Sequence, residues 1–155
     1  MKKILFSCIV AFTINAHSQT EISSKYDHIG KFNNGIAVVE LNGKRGLINS
    51  EGKELIKPEW DNLTGFGADG IGFARKNGLV GLIKNDGTLL VEPIYERIND
   101  FKDGKAIVTK GFFKGMIDFN GKILIEPKYE RLTFEENGLV RATVGGKEVL
   151  LKIEK

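Results

Sequence analysis

One pattern recurs along the chain at a nearly constant interval, and it constrains the fold more than any other feature. Its most complete copy is residues 83–101, IKNDGTLLVEPIYERINDF, which has a turn Gly, an apolar run, a Pro, an aromatic residue, an acid and a Phe. Self-similarity of this kind predicts stacked or ring-packed supersecondary units in place of one irregular core. The markers recur every 34 or 35 residues, at Pro58, Pro93 and Pro127, at Gly52, Gly87 and Gly121, and at Tyr26, Trp60, Tyr95 and Tyr129.

The markers divide the chain into units at residues 26–59, 60–94 and 95–128 and a shorter unit at 129–155. Apolar and polar residues alternate within each unit, and no window of ten or more residues has a helical period, so the chain is predicted to be all-β. Each unit opens on an aromatic segment, which ends in a Phe and leads to a Gly predicted to have positive φ or to lie close to another part of the chain. These glycines are Gly35, Gly70, Gly104 and Gly138.

Three strands are predicted in each unit after that Gly. The first strand, at 36–41, 71–76, 105–110 and 139–144, keeps two small apolar positions two residues apart, which indicates a half-buried strand with a close neighbour. Asn42-Gly43 and Asn77-Gly78 predict tight hairpins, and glycines occupy the same place in the last two units. A second turn leads to a third strand, which we expect to end at the Pro because Pro has no N–H to donate.

The predicted fold is therefore a tandem array of three-stranded antiparallel meanders, open and twisted. A closed pseudo-three-fold structure or a propeller-like ring is the alternative, but propeller blades are usually longer and four-stranded, and three full units are few for a ring. The fourth unit lacks the turn Gly and the Pro and has a charged tail at residues 152–155, as a terminal cap would.

Residues 1–18 have the three regions of a secretory signal peptide: Lys2 and Lys3, an apolar run too short to span a bilayer, and small residues before the cleavage site. We expect residues 19–155 to form one exported domain that does not span a membrane and is periplasmic, on the cell surface or secreted. Cys8, the only cysteine, lies in this leader, so the mature chain has no disulfide and no thiolate metal site. Without the leader the formal charge of +3 falls to +1, which argues against a nucleic-acid partner.

The polar residues of the repeat form no catalytic or metal-binding motif. Asp61, Glu96 and Glu130 each follow an aromatic residue, but a catalytic acid-base pair needs two unlike environments, and repeated positions provide like ones. The turn at Asn85-Asp86-Gly87 lacks the rest of a calcium loop. His28 has polar residues at the matching positions of the other units, which favours a solvent-facing side chain over a ligand role.

The repeated aromatic residues Trp60, Tyr95 and Tyr129 are the only candidates for ligand contact. On one face of an array they could stack on a sugar, whereas their alternative role is a ladder buried between units. The sequence favours the core ladder, because stacked units bury the same point of every repeat.

The order F-x-x-G-x-A-x-V, N-G-K-x-G-L-I and G-K-x-L-I-x-P-x-Y-[DE]-x-[IL] resembles the WG-repeat family of bacterial proteins. The resemblance covers residues 26 to about 151, although the Trp for which the family is named is replaced by Arg45, Val80 and Lys114. It implies a β-repeat array of a kind that is commonly exported, and it offers no catalytic residue to assign to this chain. We also expect no cofactor.

Two hypotheses of function follow. The first is a non-enzymatic binding or scaffold module whose partner is an unknown protein or a cell-envelope polymer. The second is a hydrolase-like enzyme of the envelope, which would need a site that breaks the repeat. The only irregular parts are residues 110–114 (KGFFK) and the last unit, and neither has a catalytic constellation, so the sequence favours a binding protein that is not an enzyme.

Overall fold

The structure, a computed structural model, describes residues 25–64, 66–67 and 69–153. The predicted signal peptide lies outside the described residues. Among those residues the all-β prediction is confirmed, since they form 15 strands and one single-turn 3-10 helix, Glu136–Gly138. No helix in the described part of the chain is long and apolar enough to cross a membrane.

The strands form four antiparallel sheets, each built from consecutive strands of the chain and each corresponding closely to one repeat. The first sheet contains β1 (His28–Ile29), β2 (Ile36–Leu41), β3 (Lys44–Asn49) and β4 (Glu54–Trp60). The second contains β5 (Asn62–Thr64), β6 (Ile71–Lys76), β7 (Leu79–Lys84) and β8 (Leu89–Tyr95). The third contains β9 (Arg97–Ile98), β10 (Lys105–Lys110), β11 (Phe113–Asp118) and β12 (Ile123–Tyr129), and the fourth contains β13 (Arg131–Phe134), β14 (Leu139–Val144) and β15 (Lys147–Lys152).

The predicted meander is present in every repeat, and the aromatic segment adds a short strand at its edge. In the first sheet His28 pairs with Glu40 and Ile29 with Val39, so this segment joins the sheet as β1. The first three sheets therefore have four strands, and the fourth sheet has three among the described residues. None of these sheets closes on itself, and each packs against the next in sequence order, so the array is open.

The expectation that the Pro ends the last strand is wrong, because β4 runs through Pro58 to Trp60. Leu47 pairs with Ile56 and Arg45 with Trp60, so three residues of β4 lie opposite Gly46 alone. This bulge interrupts the ladder at Pro58, where no N–H is needed. The second and third sheets repeat the same shift in register.

The bulge also explains why a Gly lies opposite it in β3, β7 and β11, at Gly46, Gly81 and Gly115. A Cβ on Gly46 would lie 2.8 Å from the backbone nitrogen of Pro58, and one on Gly81 would lie 2.9 Å from that of Pro93. Such contacts are far shorter than van der Waals distance, so only Gly fits beneath the bulged strand. In the fourth sheet, which has no such strand among the described residues, Val149 stands at this position.

The turn predictions are confirmed by the backbone angles. Positive φ is found at all four glycines that follow the aromatic segments, with values of 78°, 69°, 76° and 74° at Gly35, Gly70, Gly104 and Gly138. The second-turn glycines Gly52, Gly87 and Gly121 have φ of 79°, 91° and 82°. In the hairpin at Asn42-Gly43 both central residues have positive φ, which is the geometry that an Asn-Gly turn favours.

The core consists of clusters between consecutive sheets. Leu47, Ile56 and Trp60 of the first sheet pack against Leu63, Ala74 and Ile83 of the second. Equivalent clusters join the second sheet to the third and the third to the fourth. The small positions of the first long strand are fully buried, since Ala74 and Val108 have no exposed surface, so the predicted half-buried strand is confirmed.

The outer face of the fourth sheet is polar at the position where the other sheets contact the next one. Val38, Phe73 and Ile107 occupy this position in the first three sheets and pack against the cluster beyond. The fourth sheet has Arg141 there, and its guanidinium lies 2.7 Å from Glu135 Oε1 and 3.1 Å from Glu148 Oε2. An ion pair in place of an apolar contact is the expected form of a terminal cap.

Candidate functional site

Two wide depressions lie where the third sheet meets the fourth. Depressions at the first and second junctions measure about 170 and 240 Å³. The third junction has two depressions of about 580 and 550 Å³, one beside Ile107 and Leu132 and the other beside Lys105 and Phe134. Because both lie between β10 and β13, they follow one another along the same valley.

The first of these depressions is lined by three basic side chains, and we call it the cationic groove. Arg97 comes from β9, Lys114 from the start of β11, and Arg131 from the start of β13. None of the three forms an ion pair with another described residue, and the Lys114 ammonium donates to Thr109 Oγ1 at 2.9 Å. Charge without an internal partner makes the groove complementary to an anionic ligand.

Two carboxylates, Glu96 and Glu130, also line the cationic groove, and both are bound to backbone N–H groups. The Gly111 N–H lies 3.0 Å from both oxygens of Glu96, and the Gly145 N–H donates to Glu130 at 2.9 Å. These bonds hold each acid to the hairpin turn of its own repeat. The two carboxylates therefore have like environments, whereas an acid-base pair for hydrolysis needs environments that separate the two pKa values.

The same bond occurs in the first two repeats, which gives the acid after the aromatic a structural role throughout the chain. Asp27 accepts a hydrogen bond from the Asn42 N–H at 2.6 Å, and Asp61 accepts one from the Asn77 N–H at 2.7 Å. The pKa of Asp61 is lowered, first by its hydrogen bond with the Lys44 ammonium and then by the bond from Asn77.

The aromatic residues singled out in the sequence are buried at the junctions between sheets. Trp60, Tyr95 and Tyr129 expose 6, 3 and 9% of their surface. Each packs in the cluster that joins its sheet to the next, as a core ladder requires. A contact between these rings and a ligand stays a prediction.

The two irregular parts of the sequence meet at the cationic groove. Residues 110–114 (KGFFK) contribute Lys114, and the divergent last unit contributes Glu130, Arg131 and Leu132. The sequence identified both parts as departures from the repeat. It did not identify Arg97 and Arg131 as a site, because they occupy the position of His28, where every unit has a polar residue.

The other polar candidates have local roles. His28 is exposed on β1. Asp86 accepts a hydrogen bond from the Thr88 N–H at 2.8 Å, the bond of a side chain that shapes its own turn, and this bond lowers its pKa. In the described ranges no three His, Cys, Asp or Glu side chains are grouped so that they could hold a metal ion.

Comparison with known proteins gives one family. The model of the WG containing repeat matches residues 14–44, 46–79, 81–111 and 115–147. No curated protein sequence matches the chain. Among solved structures, Hsv2 of Kluyveromyces lactis is 13% identical with a TM-score of 0.40, and a form of the same protein with loop 6CD replaced by a Gly-Ser linker is 11% identical with a TM-score of 0.40. These similarities cover 82% and 81% of this chain, which spans about half of the Hsv2 chains, 52% and 50%.

Proposed function

The chain belongs to the WG containing repeat family, and from this premise we propose that it is an exported, non-enzymatic binding module that recognises an acidic partner through the cationic groove. The observation that carries the proposal is the convergence of Arg97, Lys114 and Arg131 in one groove, without ionic partners among the described residues.

The position of the groove supports recognition over a purely structural role. A surface that only holds the array together would recur at each junction, whereas this groove exists where residues 110–114 and the last unit depart from the repeat. At the first junction the matching basic residue, Arg45, is bound to Asn62 Oδ1 and forms an ion pair with Glu40. The basic residues of the third junction form no ion pair with a described residue, so their charges are available to a ligand.

The dimensions and chemistry of the groove indicate a class of ligand. A volume of about 580 Å³ falls in the range of small-molecule sites, and the groove is open, so a segment of a polymer can enter it. Arg recognises carboxylate and phosphate through paired N–H donors, and Lys recognises them as a point charge. The recognised part of the partner therefore carries carboxylate or phosphate groups, on a cell-envelope polymer or on a protein.

A binding assay with defined probes tests this function. Immobilised protein is titrated with polyglutamate, polyphosphate and, as a neutral polymer, dextran. We expect an acidic probe to bind and dextran not to bind, and the double variant Arg97→Ala/Arg131→Ala to weaken binding by about tenfold or more, since each lost charged hydrogen bond is worth about 1.5–3 kcal/mol. Binding should also weaken as salt is raised.

The matched control is Lys57→Ala/Lys122→Ala, which removes the same charge from exposed positions outside the groove. Equal losses in both double variants would mean that net charge alone attracts the probes, and the groove would not be the site. Export is tested separately by sequencing the N-terminus of the exported protein, which we expect to begin at Gln19. An intact Met1 on that protein would contradict the signal peptide.

A further inference from the structure

The third hairpin departs from the other three at its tip. Its loop consists of Gly111 and Phe112, since Lys110 pairs with Phe113 across the turn. Phe112 is 94% exposed, and the other loops have Gly43, Gly78 and Gly146 at the same position. A large apolar side chain at a tip built elsewhere from Gly is the kind of exposed aromatic that anchors protein interfaces.

The hairpin presents Phe112 on a fixed backbone. Gly111 has φ of 61° and Phe112 does not have a positive φ, the combination found in tight type II′ turns. Both oxygens of Glu96 lie 3.0 Å from the Gly111 nitrogen and tie the turn to the start of β9. A preorganised anchor loses less conformational entropy on binding than a mobile one.

A pocket of matching chemistry lies between the second and third sheets. It has a volume of about 240 Å³ and is walled by Phe73, Phe101 and Phe119 together with Ile71 and Leu82. Phe101 and Phe119 are stacked with their ring centroids 4.3 Å apart. An apolar cavity of about 150 Å³ is large enough to hold benzene, so this pocket can hold a phenyl ring.

Charge at the pocket complements charge at the hairpin. Asp69 and Asp100 line the pocket, are exposed, and form no ion pair with a described residue. Phe112 lies between Lys110 and Lys114 in the sequence. The depression at the first junction is smaller, about 170 Å³, and its one charged side chain is Lys31, which would repel the lysines.

We propose that this protein associates with itself, with Phe112 of one copy inserted into the pocket between the second and third sheets of the next copy. A chain cannot fill its own pocket through this contact. The hairpin and the pocket lie at opposite ends of β10 and β11, and six residues of strand separate them by about 20 Å. The proposed contact joins two different surfaces, and when each copy uses its hairpin on one neighbour and its pocket on another, copies associate head to tail.

Sedimentation velocity over a range of concentrations of the isolated protein tests the proposal. We expect the weight-average mass to rise with concentration, since one aromatic anchor with flanking charges gives an affinity in roughly the micromolar to millimolar range. Phe112→Gly gives the third hairpin the residue found in the other three, and we expect it to weaken the association by about tenfold or more. Ile123→Ser, at a position that is 45% exposed and outside both surfaces, is the control that should leave it unchanged.

A mixing experiment distinguishes this contact from other modes of association. Asp69→Lys/Asp100→Lys places like charge at the pocket and keeps Phe112, whereas Phe112→Gly keeps the pocket. At a protein concentration near the wild-type dissociation constant each variant alone should be largely monomeric, but their mixture has one intact hairpin and one intact pocket and should form one-to-one dimers that do not grow further.

Two results would overturn the proposal. One is a wild-type protein that stays monomeric up to about 1 mM, because the affinity would then be too weak for a contact anchored by a phenyl ring. The other is a Phe112→Gly variant that associates as strongly as wild type, which would place the contact elsewhere. All samples begin at the same residue, so any effect of the N-terminal segment is common to them.

Discussion

At the scale of single residues, the Gly in the middle of β3, β7 and β11 and the Pro of the strand that follows each of them depend on each other. The Pro sits in a bulge that passes directly over the Gly, and the space between the two backbones leaves no room for a Cβ. The fourth sheet has Val149 in place of the Gly, and it has no bulged strand there among the described residues.

This dependence predicts the effect of one methyl group. Gly81→Ala places a Cβ 2.9 Å from the Pro93 nitrogen, so we expect a loss of about 1 to 3 kcal/mol in the free energy of unfolding, the usual cost of overpacking. Urea denaturation of the purified variant measures it.

The control for Gly81→Ala is Val149→Ala, at the matching position of the fourth sheet, where 39% of the side chain is exposed. We expect it to change stability by less than about 1 kcal/mol. A Gly81→Ala variant as stable as wild type would show that the second sheet has room for a Cβ, and our account of the Gly would be wrong.

The residues that local pattern could predict are those whose role lies within one repeat. Asn42-Gly43 fixes its own turn, and the period of two at Ala37 and Val39 marks a buried face whatever lies opposite. The continuation of β4 through Pro58 was not predictable from the residue alone, because it depends on a bulge against Gly46. The cationic groove was not predictable either, since Arg97 and Arg131 meet only after adjacent sheets have packed.

At the scale of elements, the aromatic residue at the end of each fourth strand joins one sheet to the next. Tyr95 ends β8, is 3% exposed, and packs with Ile98, Ala106 and Val108 of the third sheet. Burial is the main cause of the raised pKa of its hydroxyl, with a smaller contribution from the charge of Glu126. The ring therefore contacts side chains of both the second and the third sheet, and its removal should lower the stability of both.

We expect Tyr95→Ala to lower the free energy of unfolding by about 3 kcal/mol or more, the range for truncating a large aromatic side chain in a core. Because each sheet is stabilised by its neighbours, amide hydrogen exchange should accelerate in both the second and the third sheet. Tyr95→Phe keeps the ring and is the control that should stay close to wild type. A Tyr95→Ala variant that melts like wild type but no longer binds the acidic probes would make the aromatic row the binding site in place of the core ladder.

At the scale of the whole molecule, an open array of sheets has to protect the face at which it ends. The third sheet buries Met116, Ile125 and Tyr129 against the fourth. The fourth sheet has no further sheet to cover it among the described residues, and its outer face has the ion pairs of Arg141 with Glu135 and Glu148 at the position of the usual apolar contact. The divergent last repeat thus places an ion pair where the other sheets have an apolar contact, and it also forms one wall of the cationic groove.

If the ion pair of Arg141 and Glu148 keeps the end of the array soluble, the same pair built into the third sheet should protect that sheet when the fourth is removed. A chain shortened to residues 1–130 exposes the face of Met116 and Ile125, and we expect it to aggregate and to bind a hydrophobic dye. In that short chain Ile107 and Lys114 occupy the positions of Arg141 and Glu148, so Ile107→Arg/Lys114→Glu recreates the pair. We expect this double variant to be more soluble and to bind less dye than the unmodified short chain, as light scattering and dye fluorescence would measure.

Two further variants of the short chain are controls. The charge-reversed pair Ile107→Glu/Lys114→Arg should also raise solubility, whereas Ile107→Arg/Lys114→Arg, which places two like charges together, should raise it less. Equal solubility of all four short chains would mean that the fourth sheet protects the array by its bulk and that the ion pair is incidental.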